Sequence, residues 1–165
     1  MNPNPPRRGR VACYATVPFQ QRVLRPLARA FAESLVTRSA DEVRAWQPQA
    51  IVVTAEHEIP LFRDYCWQNG VALFALRHGA GNKYIEPCRE YALADYICGS
   101  EWDQHDFRRG GIVPLREFLL TGNPWVDETF QLPSRPLRPE TPVVLFAPTW
   151  NPETSAAGFL AGNLV

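Results

Sequence analysis

In the stretch RHGAGNKY, residues 77–84, a histidine and a lysine stand five positions apart with two glycines between them. Lys83 is the one lysine in a chain whose other basic residues are all arginine, and His78 is one of three histidines. These residue types suit group transfer. A neutral imidazole takes a proton from a hydroxyl near pH 7. An ammonium is a compact charge that fits a phosphate. Gly79 and Gly81 carry no Cβ, so the backbone there can approach a ligand or adopt positive φ. Phosphoryl or glycosyl transfer is the chemistry such a set would serve. A turn with a solvated imidazole and a surface lysine accounts for the same residues.

Other segments add candidates. CGSEWD, residues 98–103, offers Ser100 as a helix N-cap, where free backbone N–H groups also hold anions. An ordinary cap explains Ser100 equally. TGNPWVD, residues 121–127, turns at Gly122, Asn123 and Pro124, and places Asp127 in the first turn of a helix, where the dipole favours an acid. His57, in TAEHEIP, reads as a polar residue at a helix entry. His105, inside a charged helical stretch, reads as solvated.

The elements that must position these residues alternate. VACYATVPF (11–19) reads as a strand, and QRVLRPLARAFAES (21–34) as a helix with Val23, Leu27, Ala30 and Phe31 on one stripe. SLVTR is a short second strand. SADEVRAWQ opens with Ser39 and Glu42 in capping-box spacing. AIVVTA is a strand, and IPLFRDYCWQNG a helix closed by Asn69-Gly70. VALFAL, PCREYALA, DYICG, SEWDQHDFRRGG and EFLLTG continue the alternation. Short strands alternating with helices predict parallel β-α-β units, because parallel strands need crossover connections. The expected fold is a doubly wound, Rossmann-like α/β domain over residues 1–130. In such sheets ligands bind beyond the carboxyl ends of the strands, which is where RHGAGNKY falls. QLPSRPLRPETP (131–142), with four prolines, reads as a stiff linker. VVLFAPTW then opens a second, incomplete domain over 143–165, or returns to the same sheet as a final strand.

The bulk composition agrees with one sizeable core in 165 residues. Seventeen acids balance seventeen bases, so no net field draws the chain to nucleic acid. Cys13, Cys66, Cys88 and Cys98 lack the spacing of a zinc or redox pair and read as reduced thiols. No apolar run reaches the ~18 residues of a membrane span, and Arg7, Arg8 and Arg10 are too few to anchor a chain alone. The apolar part that follows them reads as a first buried strand rather than a signal peptide.

Taken in order, His78-Gly79, ADYICGSEW, TGNPWVD, the proline-rich spacer and VVLFAPTW resemble the CDP-glycerol glycerophosphotransferase family of teichoic-acid synthesis. That family reads His-Gly-Thr-Pro-Leu-Lys, then Gly-Tyr-Pro-Arg-Asn-Asp, then Tyr-Ala-Pro-Thr-Trp-Arg. On this chain the first motif falls on His78, Gly79 and Lys83, the second on Gly122, Pro124 and Asp127, and the third on Ala147 to Trp150. The chain departs from the family at Ala80, Trp125 and Asn151, which stand where the family has threonine, arginine and arginine.

The resemblance covers about half the chain and implies the two-domain glycosyltransferase-B fold, with the donor held by the C-terminal half. Nearly all of that half is missing, so the expectation is a C-terminally truncated chain, inactive alone. The implied reaction transfers glycerol phosphate from CDP-glycerol to a hydroxyl of a lipid-linked cell-envelope polymer, with His78 as base. Gly79, Lys83, Ser100, Asn123, Asp127 and Thr149 would bind substrate or phosphate. No metal or cofactor is implied, and the expected location is cytoplasmic, with peripheral contact at the inner face of the membrane. TGNPWVD equally resembles the corresponding turn of UDP-N-acetylglucosamine 2-epimerases, so an epimerase-like protein or another glycosyltransferase of the same two-domain fold is the alternative enzyme reading. A non-catalytic binding domain or gene remnant is the third.

Overall fold

The computed structural model describes residues 7–77 and 89–122. The chain divides into two compact units, Met1–Leu132 and Pro133–Val165, and every described residue belongs to the first. The expected linker at 131–142 and second domain at 143–165 lie outside the described residues.

Six strands form one sheet: β1 (Arg7–Tyr14), β2 (Phe31–Thr37), β3 (Ala50–Val53), β4 (Ala72–Leu76), β5 (Tyr96–Gly99) and β6 (Glu117–Leu120). Their spatial order is β2-β1-β3-β4-β5-β6, and every neighbouring pair is parallel. The connections carry α1 (Pro18–Ala28), α2 (Ala40–Trp46), α3 (Pro60–Asn69) and α4 (Glu101–Arg109), with short 3₁₀ turns at Glu56–Glu58 and Arg89–Leu93. This is the doubly wound α/β architecture that the alternation predicts.

Strand side chains alternate between faces, so both faces of a parallel sheet must be covered. Val11, Cys13, Ala15, Val52, Leu76 and Cys98 pack with Val23, Leu24 and Ala28 of α1. On the other face Ala12, Tyr14, Ile51, Val53, Leu73, Ala75 and Ile97 pack with Val43 of α2, Phe62 and Cys66 of α3, and Phe107 of α4. Tyr14 meets Phe62 edge-on, with ring centroids 4.9 Å apart.

The helix ends follow local chemistry. Ser39 Oγ accepts the Glu42 N–H at α2, as its spacing predicts. The reciprocal half of that box runs through Thr37, whose hydroxyl donates to the Glu42 carboxylate and accepts the Ser39 N–H. Gly70 closes α3 at φ 65°, a left-handed cap that glycine adopts without a Cβ clash.

Several boundaries differ from expectation: β1 ends at Tyr14 rather than Phe19, and α1 begins at Pro18 rather than Gln21. β1 starts at Arg7 rather than Val11, because Arg7 pairs with Phe31 across a register shift, with Gly9 at φ 129° in between. α1 stops at Ala28 instead of running to Ser34. Pro26 therefore lies in its last turn, where it has no N–H to give the preceding turn. Phe31 leaves the helical stripe to open β2, whose backbone is satisfied by pairing with β1. Of PCREYALA, the described part is the 3₁₀ turn Arg89–Leu93 rather than an α-helix.

Asp95, at the amino end of β5, joins four elements from a buried position. Its Oδ2 accepts the Leu73 N–H of β4 at 2.9 Å, and its Oδ1 lies 3.2 Å from Arg63 Nη1 of α3. Its carbonyl accepts the Arg116 and Glu117 N–H groups where β6 begins.

Cys13, Cys66 and Cys98 are buried free thiols. Burial pushes the first two up to about 12 and the third to about 11, with Thr121 opposing the last shift. At pH 8 all three are therefore protonated and covered. Iodoacetamide is expected to modify them on the order of a hundredfold more slowly in the folded chain than in urea. Peptide mass mapping reads the rates, and equal rates in the two conditions contradict this packing.

Candidate functional site

Because all the strands run the same way, their carboxyl ends lie along one edge. The strand order reverses between β1 and β3, so their following segments leave toward opposite faces: α1 covers one and α3 the other. That divergence is the usual origin of a ligand crevice in open α/β sheets. Two corners built on buried carboxylates define this edge.

The first corner joins β4, β5 and α4. Ser100 caps α4, its Oγ accepting the Asp103 N–H at 3.2 Å. Asp103 Oδ2 in turn accepts the Ser100 N–H at 2.9 Å and the Ser100 hydroxyl at 2.7 Å. The other oxygen, Oδ1, lies 3.2 Å from Arg77 Nε. The Arg77 guanidinium sits 5.4 Å from the centre of the Phe107 ring, and its backbone N–H donates to the Cys98 carbonyl. Gly99 makes this closeness possible, since a Cβ there would lie 2.9 Å from Asp103 Oδ2. Arg77, the residue directly before His78, is thus fixed at the edge by a nearly buried ion pair.

The second corner joins β1 and β3. Glu58 is fully buried, and its carboxylate accepts four hydrogen bonds. Thr16 gives two, from N at 2.7 Å and Oγ1 at 3.0 Å. The Thr54 and Ala55 N–H groups give the others at 3.1 and 3.0 Å. Four donors fill a carboxylate's acceptor positions, which leaves Glu58 no lone pair for a substrate proton. Its role is to hold the β1 exit against the β3 exit. Around it, Arg38 Nε donates to the Thr16 carbonyl at 3.0 Å, and exposed His57 places Nε2 3.4 Å from Thr16 Oγ1.

Of the residues singled out in the sequence, Ser100 is described: it is exposed at the carboxyl edge, and its hydroxyl proton is given to Asp103. His78, Gly79, Lys83, Asn123, Asp127 and Thr149 lie outside the described residues. His57 stands in the 3₁₀ turn leading into α3, the helix-entry position expected for it, and His105 is exposed on α4. Sequence reasoning missed Glu58, Arg77 and Asp103. The Ser100-x-x-Asp103 spacing was a readable capping signal, whereas the partners of Glu58 lie up to 42 residues away. Among the described residues, no group of three or more His, Cys, Asp or Glu side chains is placed to hold a metal ion.

No family model matches the chain, and neither the curated proteins nor the solved structures contain a match.

The two partners of the first corner should separate energetically. Ser100→Ala removes a cap and is expected to cost about 1 kcal/mol. Asp103→Ala also strands the Arg77 guanidinium, and is expected to cost roughly 3 kcal/mol. Urea unfolding of both variants measures this, and equal losses contradict the ion pair as the stronger tie.

Proposed function

We propose that this domain is the acceptor-side half of a CDP-glycerol glycerophosphotransferase-like enzyme. The observation that carries the reading is the fixed position of Arg77. The chain enters His78-Gly79 and, four residues later, Lys83 from a point pinned at the carboxyl edge, next to the start of α4. Open α/β sheets receive ligands at that edge, and in this reading the imidazole and the ammonium would act there.

In this reading a terminal hydroxyl of a lipid-linked polyol phosphate attacks the β-phosphorus of CDP-glycerol. The new oxygen–phosphorus bond forms as the bond from the β-phosphorus to the bridging oxygen breaks, and CMP leaves with that oxygen. His78 takes the hydroxyl proton, and Lys83 offsets the charge on the phosphoryl oxygens, the electrostatic contribution such transfers depend on. Gly79, Asn123, Asp127 and Thr149 belong to the same substrate-binding set. Ser100 would contribute through the α4 N-terminus it caps, since its hydroxyl proton is engaged with Asp103. Among the described residues no helix is long and apolar enough to cross a membrane. In this reading the lipid-linked acceptor is reached by peripheral contact at the cytoplasmic face, as the family resemblance implies.

The test is CMP release from CDP-glycerol, with a lipid-linked polyol phosphate acceptor, by the protein carrying both domains. His78→Ala is expected to slow release by on the order of 10²-fold or more. Turnover near normal in that variant removes His78 from catalysis. Conversion of UDP-N-acetylglucosamine to its 2-epimer, without CMP release from CDP-glycerol, replaces this reading with the epimerase one.

A further inference from the structure

Three strand exits converge on Thr16, two residues past the end of β1. Arg38 follows β2, and its Nε donates to the Thr16 carbonyl at 3.0 Å. His57 follows β3, and its Nε2 lies 3.4 Å from Thr16 Oγ1. A guanidinium and an imidazole, both exposed, thus stand at the carboxyl edge, one on the backbone side of Thr16 and one on its side-chain side. The transfer reaction proposed above uses neither.

The directions of the hydrogen bonds around Thr16 fix what each group has left to offer. A hydroxyl has one proton, and Thr16 gives it to the Glu58 carboxylate, the nearer acceptor, at 3.0 Å. Thr16 Oγ1 is left to accept from His57. In the neutral ring Nε2 therefore carries the proton and Nδ1 keeps its lone pair. Arg38 spends its Nε on the Thr16 carbonyl, which orients the planar guanidinium and leaves the Nη donors. No acid pairs with Arg38 among the described residues. A third group comes from Gln20, the third residue of α1. It is 4% exposed, and its Oε1 has no hydrogen-bond partner among the described residues. Helical side chains lean toward the helix N-terminus, so this amide is directed at the helix entry beside Thr16. A buried amide oxygen without a donor is uncommon and points to a ligand that supplies one.

We infer that the exits of β2, β1 and β3 form a second binding site, for a phosphate ester that carries free hydroxyls. The Arg38 fork takes two phosphate oxygens, the pairing its planar geometry matches. One ligand hydroxyl donates to His57 Nδ1, and another to Gln20 Oε1. An anion without hydroxyls fills only the Arg38 part of the site, and a neutral polyol leaves the guanidinium without its partner. The site lies where the strand order reverses between β1 and β3, the usual place for such a crevice. It is separate from the β4 exit and needs neither His78 nor Lys83, so failure of the transfer reaction leaves it standing.

Amide and imidazole nitrogen spectra of the full chain, titrated at pH 8 with glycerol 3-phosphate and with inorganic phosphate, test it. In the free chain His57 is expected as the tautomer protonated at Nε2. Glycerol 3-phosphate should shift Thr16, Gln20, Arg38 and His57, and bind about tenfold tighter than inorganic phosphate through its two hydroxyl contacts. Arg38→Gln is expected to weaken both ligands by about tenfold or more, as loss of a charge-assisted contact does. His57→Phe should lower the affinity for glycerol 3-phosphate toward that of inorganic phosphate and leave inorganic phosphate itself unaffected. Thermal melting of that variant should be unchanged, because the ring is exposed. A glycerophosphodiester that binds as tightly as the monoester assigns the site to a unit within a polymer, and preference for the monoester assigns it to a free metabolite. A tautomer protonated at Nδ1, equal affinity for the two ligands, undiminished binding by Arg38→Gln, or shifts confined to Arg77, Ser100 and Thr121 overturns the assignment.

Discussion

Parallel pairing is the constraint on which the rest of this domain depends. Once every strand runs in one direction, loops far apart in sequence share one edge, and crossover connections must cover both faces. The site is then a property of the topology before it is a property of any side chain. Thr16, Glu58, Arg77 and Ser100 come from four different connections and meet along that edge because β1, β3, β4 and β5 are neighbours in the sheet.

What turns a shared edge into a fixed one is the placement of acids. Glu58, Asp95 and Asp103 are buried, and each accepts backbone N–H groups at a strand or helix boundary. A buried carboxylate is costly unless donors surround it, and here the donors belong to elements that would otherwise be joined only through the sheet. Glu58 ties the β1 exit to β3, Asp103 ties the β4 exit to α4, and Asp95 ties β4, β5, β6 and α3 at the opposite edge. The acids at the carboxyl edge are thereby spent on geometry. In the proposed reaction, proton transfer is assigned to His78, the residue that follows Arg77 in sequence.

Much of the fold was legible because its signals are local. Alternating strand and helix patterns gave the α/β class, Ser39 with Glu42 marked the start of α2, and Asn69-Gly70 marked the end of α3. The misread boundaries arise where a partner strand decides. The polar start of β1 is held by Phe31 across the sheet, and the apolar stripe of α1 runs on into a strand that happens to continue its hydrophobicity. At the site, the capping role of Ser100 followed from sequence. Glu58 and Arg77 did not, because an acid flanking a histidine and an arginine ending a strand look solvated until the fold supplies Thr16 and Asp103.

The central claim is that ligands are received at the carboxyl edge held by Glu58 and Asp103. Amide chemical-shift mapping of the isotopically labelled chain with a soluble glycerol phosphate oligomer tests it most directly. Shifts should concentrate on Thr16, Arg77, Ser100 and Thr121, and leave Leu73, Asp95 and Glu117 at the opposite edge unmoved. Shifts confined to that opposite edge would contradict the account.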